Sequence, residues 1–446
     1  MKRILRSVLL LAAVSFALPL GAQSVRDEIF ACPEKSGNIY YNYYYVPQDY
    51  TPAPEGYEPF YISHYGRHGS RWLTSASYYN EVKEVFDAAS AEGVLTPFGE
   101  AVYKRVQAVY DDGIYRYGTL SPLGAEQHRE IASRMYASFP GVFRSGATIE
   151  AVSTVVPRCI LSMASFCERL KELEPALSIS REASPRTTRY LNCYDSSTHP
   201  ELSDDFRAYR SSDAPWRKEY DAAAGKYVPV ERVTGLLFSD RKFTGGIDAV
   251  ELVINLYLFA SDMQDLDLGI SFYDLFTPDE LYRLSVYENY RYFVTNGPSS
   301  INRGFPEYYG KLLLEDIVFK ADRALQAGTP CADLRFGHDT NVMPLLTMLQ
   351  FTEYSGYDRD ERDMEAVAED WTLYELSPMA ANIQIIFYRN SQSSGEDGIL
   401  VRMMHNEKEM HLPLEPVSGP YYRWSDVRKF YIDYMDSLKD PSGKAD

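Results

Sequence analysis

Three stretches of the chain share one order of apolar and polar positions. Each has a short apolar run, then a tight polar loop, then a longer run in which apolar residues recur at helical spacing. The predicted pairs of strand and helix are 59–63 with 76–91, 148–152 with 157–173, and 333–337 with 341–349. Such units form parallel sheets with helices on their faces. We therefore predict an α/β fold with a largely parallel sheet flanked by helices.

The pattern changes between the second and third units. Residues 195–230 are polar and rich in turn formers, and the apolar spacing then predicts helices over 247–260, 278–293 and 306–325. Thr277-Pro278-Asp279-Glu280 has the form of a capping box with proline at the first helical position. We interpret residues 186–325 as a mostly α-helical domain, inserted into an α/β domain formed by residues 23–185 and 326–446.

Three further segments carry local patterns. Residues 25–57 are rich in Tyr and Pro and predict an irregular lead, whose rings could line a ligand site but more often serve as packing material. Residues 122–139 predict a helix. The runs 382–388 and 399–404 predict a β-hairpin whose connection is rich in Ser and Gly.

The start of the chain and its net charge bear on location and partners. Residues 1–22 have the pattern of an export signal: three bases, an apolar run and the small pair Gly21-Ala22. The net charge is −18, and loss of the three signal bases makes it −21. This charge disfavours nucleic acid and anionic membranes as partners, and no later apolar run reaches the ~20 residues of a membrane span. We expect an exported protein, periplasmic or secreted.

Cysteine and histidine spacing gives little sign of a metal site. The five cysteines are Cys32, Cys159, Cys167, Cys193 and Cys331. Export permits disulfides, but an odd number leaves at least one thiol unpaired, and the pairing stays open. The chain lacks CxxC and HExxH patterns, and His64 and His68 are two histidines in a Gly-containing loop without a third ligand. We predict no metal. The isolated histidines, His128, His199, His405 and His411, are assigned to packing or solvent.

The loop Arg67-His68-Gly69-Ser70-Arg71 carries the strongest chemical pattern. Guanidinium groups match phosphate oxygens, so two of them on either side of one imidazole form a clamp for an oxyanion. Gly69 would let the backbone approach a ligand, and His68 is then a candidate nucleophile. The alternative is a surface loop with ordinary solvated charges.

Two other loops add residues of matching chemistry. Arg158 falls in the first turn of a predicted helix, where the helix dipole disfavours a cation unless an anion is held there; the alternative is a side chain that extends to water. His338 and Asp339 directly follow a predicted strand. Because loops at the carboxyl ends of parallel strands open onto one edge of the sheet, we expect the three loops to meet there.

Together these residues predict phosphomonoester hydrolysis in two steps. His68 attacks phosphorus, while the three arginines stabilise the equatorial oxygens and His338 adds a hydrogen bond. Asp339 protonates the leaving alkoxide and then deprotonates the water that hydrolyses the phosphohistidine. Arginines supply the positive charge, so no cofactor is required. Because Asp339 must be protonated in the first step, we expect an acidic optimum.

The motifs resemble those of a known family. Arg67-His68-Gly69-Ser70-Arg71 with His338-Asp339-Thr340-Asn341 resembles the histidine acid phosphatases, branch 2 of the histidine phosphatase superfamily, which include phytases; Arg158 matches their third phosphate-binding arginine. Residues 334–349, 376–386 and 403–412 are similar to multiple inositol polyphosphate phosphatases. The resemblance implies a phosphoglycerate-mutase-like α/β fold with a helical insertion. One departure is that this subgroup usually has His-Ala-Glu in place of His338-Asp339.

The resemblance implies a small phosphate ester as substrate, with inositol polyphosphates such as phytate first. The alternatives are a broad-specificity exported acid phosphatase, a phosphate-ligand binding protein that has lost catalysis, and a phosphotransferase or mutase. The intact pair of His68 and Asp339 argues against the binding protein, and Arg71 favours the hydrolase branch. The oligomeric state stays open.

Overall fold

The computed structural model describes residues 24–211, 213–390 and 398–441. The predicted export signal and most of the predicted hairpin connection therefore lie outside the described residues. Within the described part of the chain, one sheet contains eight strands. These are β1 Tyr57–Arg67, β2 Thr148–Ser153, β3 Ser178–Ala183, β4 Ala332–Gly337, β5 Asn382–Asn390, β6 Ile399–His405, β7 Lys408–Met410 and β8 Tyr421–Arg423.

The strand order places the three predicted loops side by side. The sheet runs β3-β2-β4-β1-β5-β6-β7, and β8 pairs with β6. The first four of these strands are parallel, and β5 to β8 join through antiparallel pairs. The predicted α/β fold with a mostly parallel sheet is confirmed. Because β2, β4 and β1 are neighbours that point the same way, the loops that follow them open onto one edge.

Strand β1 is longer than the sequence predicts. The prediction ended this strand at Ser63 and placed His64 in a loop, but pairing with β4 continues from Ile62 opposite Ala332 to Arg67 opposite Gly337. Pairing with β5 on the other side also continues to Gly66. Hydrogen bonding on both sides holds these polar and glycine residues in the strand despite their weak strand propensity. The loop therefore begins at His68.

Helices cover both faces of the sheet. They are α1 Val25–Ala31, α2 Ala76–Ala91, α3 Pro97–Gly113, α4 Pro122–Ser138, α5 Pro157–Leu173, α6 Pro185–Leu191, α7 Asp204–Tyr209, α8 Pro215–Tyr227, α9 Val230–Leu237, α10 Arg241–Thr244, α11 Ala249–Asp262, α12 Pro278–Thr295, α13 Phe305–Ala327, α14 Asp339–Leu349, α15 Met364–Asp370, α16 Leu373–Leu376 and α17 Trp424–Ser437. Short 3-10 helices span Pro33–Tyr40, Met263–Asp265, Tyr273–Leu275, Ser300–Asn302 and Thr352–Tyr354.

Helix ends follow the local capping chemistry. Helices α2 and α5 have the predicted bounds. Helix α12 begins with the predicted capping box, in which the Thr277 hydroxyl accepts from the Glu280 amide at 3.3 Å and the Thr277 amide donates to the Glu280 carboxylate at 2.8 Å. Satisfying the free amides of the first turn fixes where such a helix starts.

Two segments predicted to be irregular or turn-rich contain helices. The lead over 25–57 includes α1 and a 3-10 helix, and residues 195–230 include α7 and α8. One large apolar core joins α11, α12 and α13 to α2, α3 and the N-terminal helices, so tertiary burial stabilises these short segments. A second core packs α4 and α5 on the sheet. The division at residues 186–325 stays a prediction.

Two further observations concern the membrane and cysteine predictions. None of the helices in the described ranges is long and apolar enough to cross a membrane. All five cysteines are free thiols, and Cys159 and Cys167 lie on α5.

Candidate active site

The structure brings all six predicted site residues to one edge of the sheet. His68 follows β1, Arg158 is the second residue of α5, and His338 caps α14. The ring centres of His68 and His338 are 5.7 Å apart, and the His68 amide donates to the Gly337 carbonyl oxygen at 3.0 Å. Loops distant in sequence thus converge because their strands are neighbours.

Gly69 is needed for a close backbone contact with α4. A Cβ atom at Gly69 would lie 2.3 Å from the Gly124 carbonyl oxygen, and one at Gly124 would lie 2.2 Å from the Ser70 carbonyl oxygen. The Ser121 amide also donates to Ser70 at 2.8 Å. The sequence had assigned Gly69 to close approach of a ligand, but the approach is to a helix, and it fixes the loop in place.

Several N–H donors of the three arginines have no hydrogen-bond partner among the described residues. Arg67 is fully buried, and its Nη1 donates to the carbonyl oxygens of Ile39 at 2.6 Å and Ser377 at 2.8 Å. Its Nε and Nη2, and the Nε atoms of Arg71 and Arg158, have no hydrogen-bond partner among the residues the structure describes. Buried donors without partners are costly, and an anion placed between them would satisfy them with charge-assisted bonds.

His68 is held as a neutral imidazole. Its Nδ1 lies 2.9 Å from the Gly69 carbonyl oxygen, an acceptor, so Nδ1 carries the proton and Nε2 has a free lone pair. Burial, followed by the charges of Arg158 and Arg67, lowers the pKa of His68 well below its usual value. A neutral ring with a defined tautomer is what a nucleophile requires.

Tyr65 fixes the backbone of His338. The Tyr65 hydroxyl donates to the His338 carbonyl oxygen at 2.9 Å and accepts from the His338 amide at 3.0 Å. The ring nitrogens have longer contacts, Nδ1 to Arg158 Nη2 at 3.4 Å and Nε2 to Thr154 Oγ1 at 3.3 Å. Burial and the Arg158 charge lower the pKa of His338 to about 3. Its role as a phosphate donor stays a prediction.

The Asp339 side chain is partly exposed to solvent. It is the first residue of α14, where the helix dipole favours a carboxylate, and its side chain is 14% exposed. Burial raises the pKa of Asp339, but the charges of Arg67 and Arg71 lower it by more, so the pKa lies below the usual value. Asp339 Oδ2 is 4.0 Å from Arg67 Nη2.

Several residues around the site were not predicted. The Tyr40 ring lies 4.9 Å below the Arg71 guanidinium, and the buried carboxyls of Asp262 and Asp265 lie behind Arg71 and Ser70. Asp262 ends α11, where the helix dipole disfavours an anion. An acid at the C-terminal end of a helix is disfavoured for the same reason as a base at the N-terminal end. The pattern that pointed to Arg158 could therefore also have pointed to Asp262.

A cleft of about 530 Å³ lies between helices α8, α11 and α12. Arg291 lines it and lies over the Tyr292 ring, 4.4 Å from its centre. Burial and the charge of Asp339 raise the pKa of Tyr292 to about 12, against the charge of Arg291, so Tyr292 lies within electrostatic reach of both groups. The charged residues that line the cleft are Arg217, Arg291, Asp221, Asp248, Glu251 and Glu288.

Residues 66–406 match the model of the histidine phosphatase superfamily, branch 2. The chain belongs to this family. This membership identifies an enzyme, a histidine acid phosphatase. No curated protein matches the chain. In the described part of the chain, no group of three or more His, Cys, Asp or Glu side chains is arranged to hold a metal ion.

Solved structures share the fold at low sequence identity. The multiple inositol polyphosphate phosphatase of Bifidobacterium longum, solved with inositol hexasulfate, is 19% identical over 90% of this chain and 99% of its own, with a TM-score of 0.75. The phytase of D. castellii is 14% identical over 91% of this chain and 85% of its own, with a TM-score of 0.63. Hafnia alvei phytase is 12% identical over 86% and 98%, with a TM-score of 0.51.

Proposed function

We propose that this phosphatase hydrolyses phosphomonoesters through a phosphohistidine on His68. The observation that carries the proposal is the set of unpartnered guanidinium donors on Arg67, Arg71 and Arg158 around a neutral His68. Nε2 of His68 bonds to phosphorus as the bond to the ester oxygen breaks, and Asp339 gives its proton to that oxygen. A water oxygen then bonds to phosphorus as the bond between Nε2 and phosphorus breaks, Asp339 takes the proton of the water, and neutral His68 and inorganic phosphate are formed.

The acid role requires a change in Asp339 on binding. In the free enzyme the arginines hold the pKa of Asp339 below its usual value. A bound phosphate dianion neutralises those arginines and adds negative charge beside the carboxyl, so the pKa rises in the complex. Activity should fall as pH rises above that value, which favours an acidic optimum.

Inositol polyphosphates such as phytate are the proposed substrates. The likeness in fold to an inositol polyphosphate phosphatase and to phytases supports this choice. One observation favours small monoesters as a second candidate. The two arginines of the cleft between α8, α11 and α12 are already paired, Arg217 with Asp221 at 3.1 Å and Arg291 with Glu288 at 2.6 Å. A polyphosphate would need free cations at this position.

Phosphate release from phytate, glucose 1-phosphate and nitrophenyl phosphate tests the proposal, measured from acidic to neutral pH with chelator present. We expect hydrolysis with chelator, highest on phytate at acidic pH. Higher rates on the two small esters would select the broad-specificity phosphatase. No release from any of them by a protein that binds inorganic phosphate would select the binding protein.

The proposed location is outside the cytoplasm, supported by the signal pattern over residues 1–22. Expression of the full chain and sequencing of the mature N-terminus test it. Cleavage near residue 22 is expected, and an intact cytoplasmic chain would contradict it.

A further inference from the structure

Two buried carboxyls lie directly behind the phosphate-binding loop. Helix α11 ends at Asp262, and the 3-10 helix Met263–Asp265 continues from it. Both aspartates are 0% exposed. Asp262 Oδ1 is 3.9 Å from Arg71 Nη1, no side chain within the described ranges donates a hydrogen bond to either Asp262 oxygen, and the Leu73 amide faces this carboxyl. Asp265 Oδ1 is 2.7 Å from Ser70 Oγ. The pair therefore contacts two consecutive residues of the loop.

Hydrogen bonding around Ser70 favours a proton on Asp265. Ser70 Oγ is 2.9 Å from Asn42 Oδ1 and 2.7 Å from Asp265 Oδ1, which are two acceptors for its single proton. Asn42 cannot be turned around, because its Nδ2 donates to the Gln264 carbonyl oxygen at 2.7 Å. Gln127 Nε2 already donates to Ser70 Oγ at 2.9 Å. A protonated Asp265 satisfies all of these contacts, because it supplies the proton for its own contact with Ser70.

The surroundings make Asp262 the group that changes charge. Burial raises the pKa of Asp262 to about 7 against the pull of the Arg71 charge, and burial and Asp262 raise the pKa of Asp265 well above its usual value. The other charged group facing the pair is Arg67. The titratable hydroxyls that face the two aspartates are those of Tyr40, Tyr79 and Tyr273. Burial raises their pKa values and keeps them neutral.

We propose that Asp262 is a proton-dependent counter-charge to Arg71, which weakens the hold of the site on phosphate when it ionises. The inference rests on the proposed role of Arg71 as a phosphate ligand. A carboxylate on the far side of the guanidinium competes for the charge that would bind the phosphate group. When Asp262 is protonated, the full charge of Arg71 is available to the anion. The site thus binds phosphate tightly in acid and releases it more readily above neutral pH.

Sulfate is the probe that isolates this effect, since it remains a dianion across the range of interest. Its competitive inhibition constant and its calorimetric Kd would be measured from about pH 5 to about pH 9. In the free enzyme the pKa values of His68, His338 and Asp339 are all lowered, and a proton that sulfate binding adds at these residues is common to the wild type and to the variants below. We expect wild-type sulfate affinity to weaken about tenfold as pH rises through the region of the Asp262 pKa.

Two variants separate the counter-charge from a structural role. Asp262→Asn keeps the shape of the side chain and removes its charge, so its sulfate affinity should weaken about tenfold less than that of the wild type over this range. Asp265→Asn is the matched control, because the amide resembles the protonated carboxyl of Asp265, and it should keep the wild-type slope. If Asp262→Asn does not fold, the wild-type slope and its retention in Asp265→Asn remain measurable.

The measurements distinguish a failure of this inference from a failure of the proposed function. A flat wild-type profile, or a wild-type slope in Asp262→Asn, would overturn the role of Asp262 even if the enzyme hydrolyses its esters normally. Absence of both turnover and sulfate binding in the wild type would instead overturn the function on which the inference rests.

Discussion

Two pairs of buried histidines lie in this protein, and their surroundings differ sharply. His68 and His338 meet at the edge of the sheet, while His64 and His128 lie behind it and both contact the Phe336 ring, with centres 5.4 and 5.6 Å away. All four are buried, and burial is the largest cause of the lowered pKa of each. None of the ring nitrogens of His64 and His128 has a hydrogen-bond partner in the part of the chain that the structure describes.

The difference shows that burial and a lowered pKa do not by themselves mark a catalytic histidine. The first pair is surrounded by three arginines with unpartnered donors and by the carboxyl of Asp339. The second pair packs on the rings of Phe166 and Phe336. The charged group that faces His64, Arg335, already donates to Asp316 and Ser63. Charge and open donors around the imidazole distinguish the proposed active pair, His68 and His338, from the other pair.

The largest expected effect tests the active pair directly. His68→Ala should reduce turnover by about a thousandfold or more, because it removes the nucleophile while leaving the arginines in place. A rapid quench of the wild type with labelled substrate should trap an acid-labile phosphohistidine that the variant lacks. Normal turnover in His68→Ala would show that the attacking group is another residue.

The next effect concerns the acid beside that pair. Asp339→Asn should slow hydrolysis of glucose 1-phosphate about a hundredfold more than that of nitrophenyl phosphate, whose leaving group needs no proton. The comparison of kcat on the two esters measures it. Equal losses on both would remove the general-acid role from Asp339.

The buried neutral histidines outside the proposed site should affect the stability of the protein rather than its turnover. The pKa values of His64, His128 and His405 are lowered by burial from 6.5 to about 3 in the folded protein. Because the folded state holds the neutral form, their contribution is fully present above pH 6.5 and is lost as pH falls toward 3. Denaturant unfolding should show a free energy of unfolding that decreases across this window. A constant free energy there would contradict the buried, neutral state.

The smallest effect on turnover is expected for a substitution of His64, and this result would separate the two pairs of histidines most clearly. His64→Leu removes two buried nitrogens without partners from an apolar site, so kcat should remain within about twofold of the wild type. Its stability should decrease less in acid than that of the wild type, since one proton-binding group of the unfolded chain is gone. A large loss of kcat with intact folding would mean that His64 takes part in the reaction.

The elements with strong local signals were predictable. Helices α2, α4 and α5 match their predicted spans to within a residue, because amphipathic spacing and capping act over a few neighbouring positions. Strand β3 was missed because most of its residues are exposed, so it lacks an apolar pattern. The extension of β1 to Arg67 was missed because the strand depends on partners on both sides.

The sequence by itself predicted the residues of the proposed site and the order of strand, loop and helix that carries them, because both depend on short segments of the chain. Tertiary structure alone decided that His64 faces aromatic rings although it lies four positions from His68. It also placed Tyr40 and Asp262 against Arg71 from distant segments of the chain. Such contacts depend on how whole helices pack, and packing is set by many weak contacts that no local pattern records.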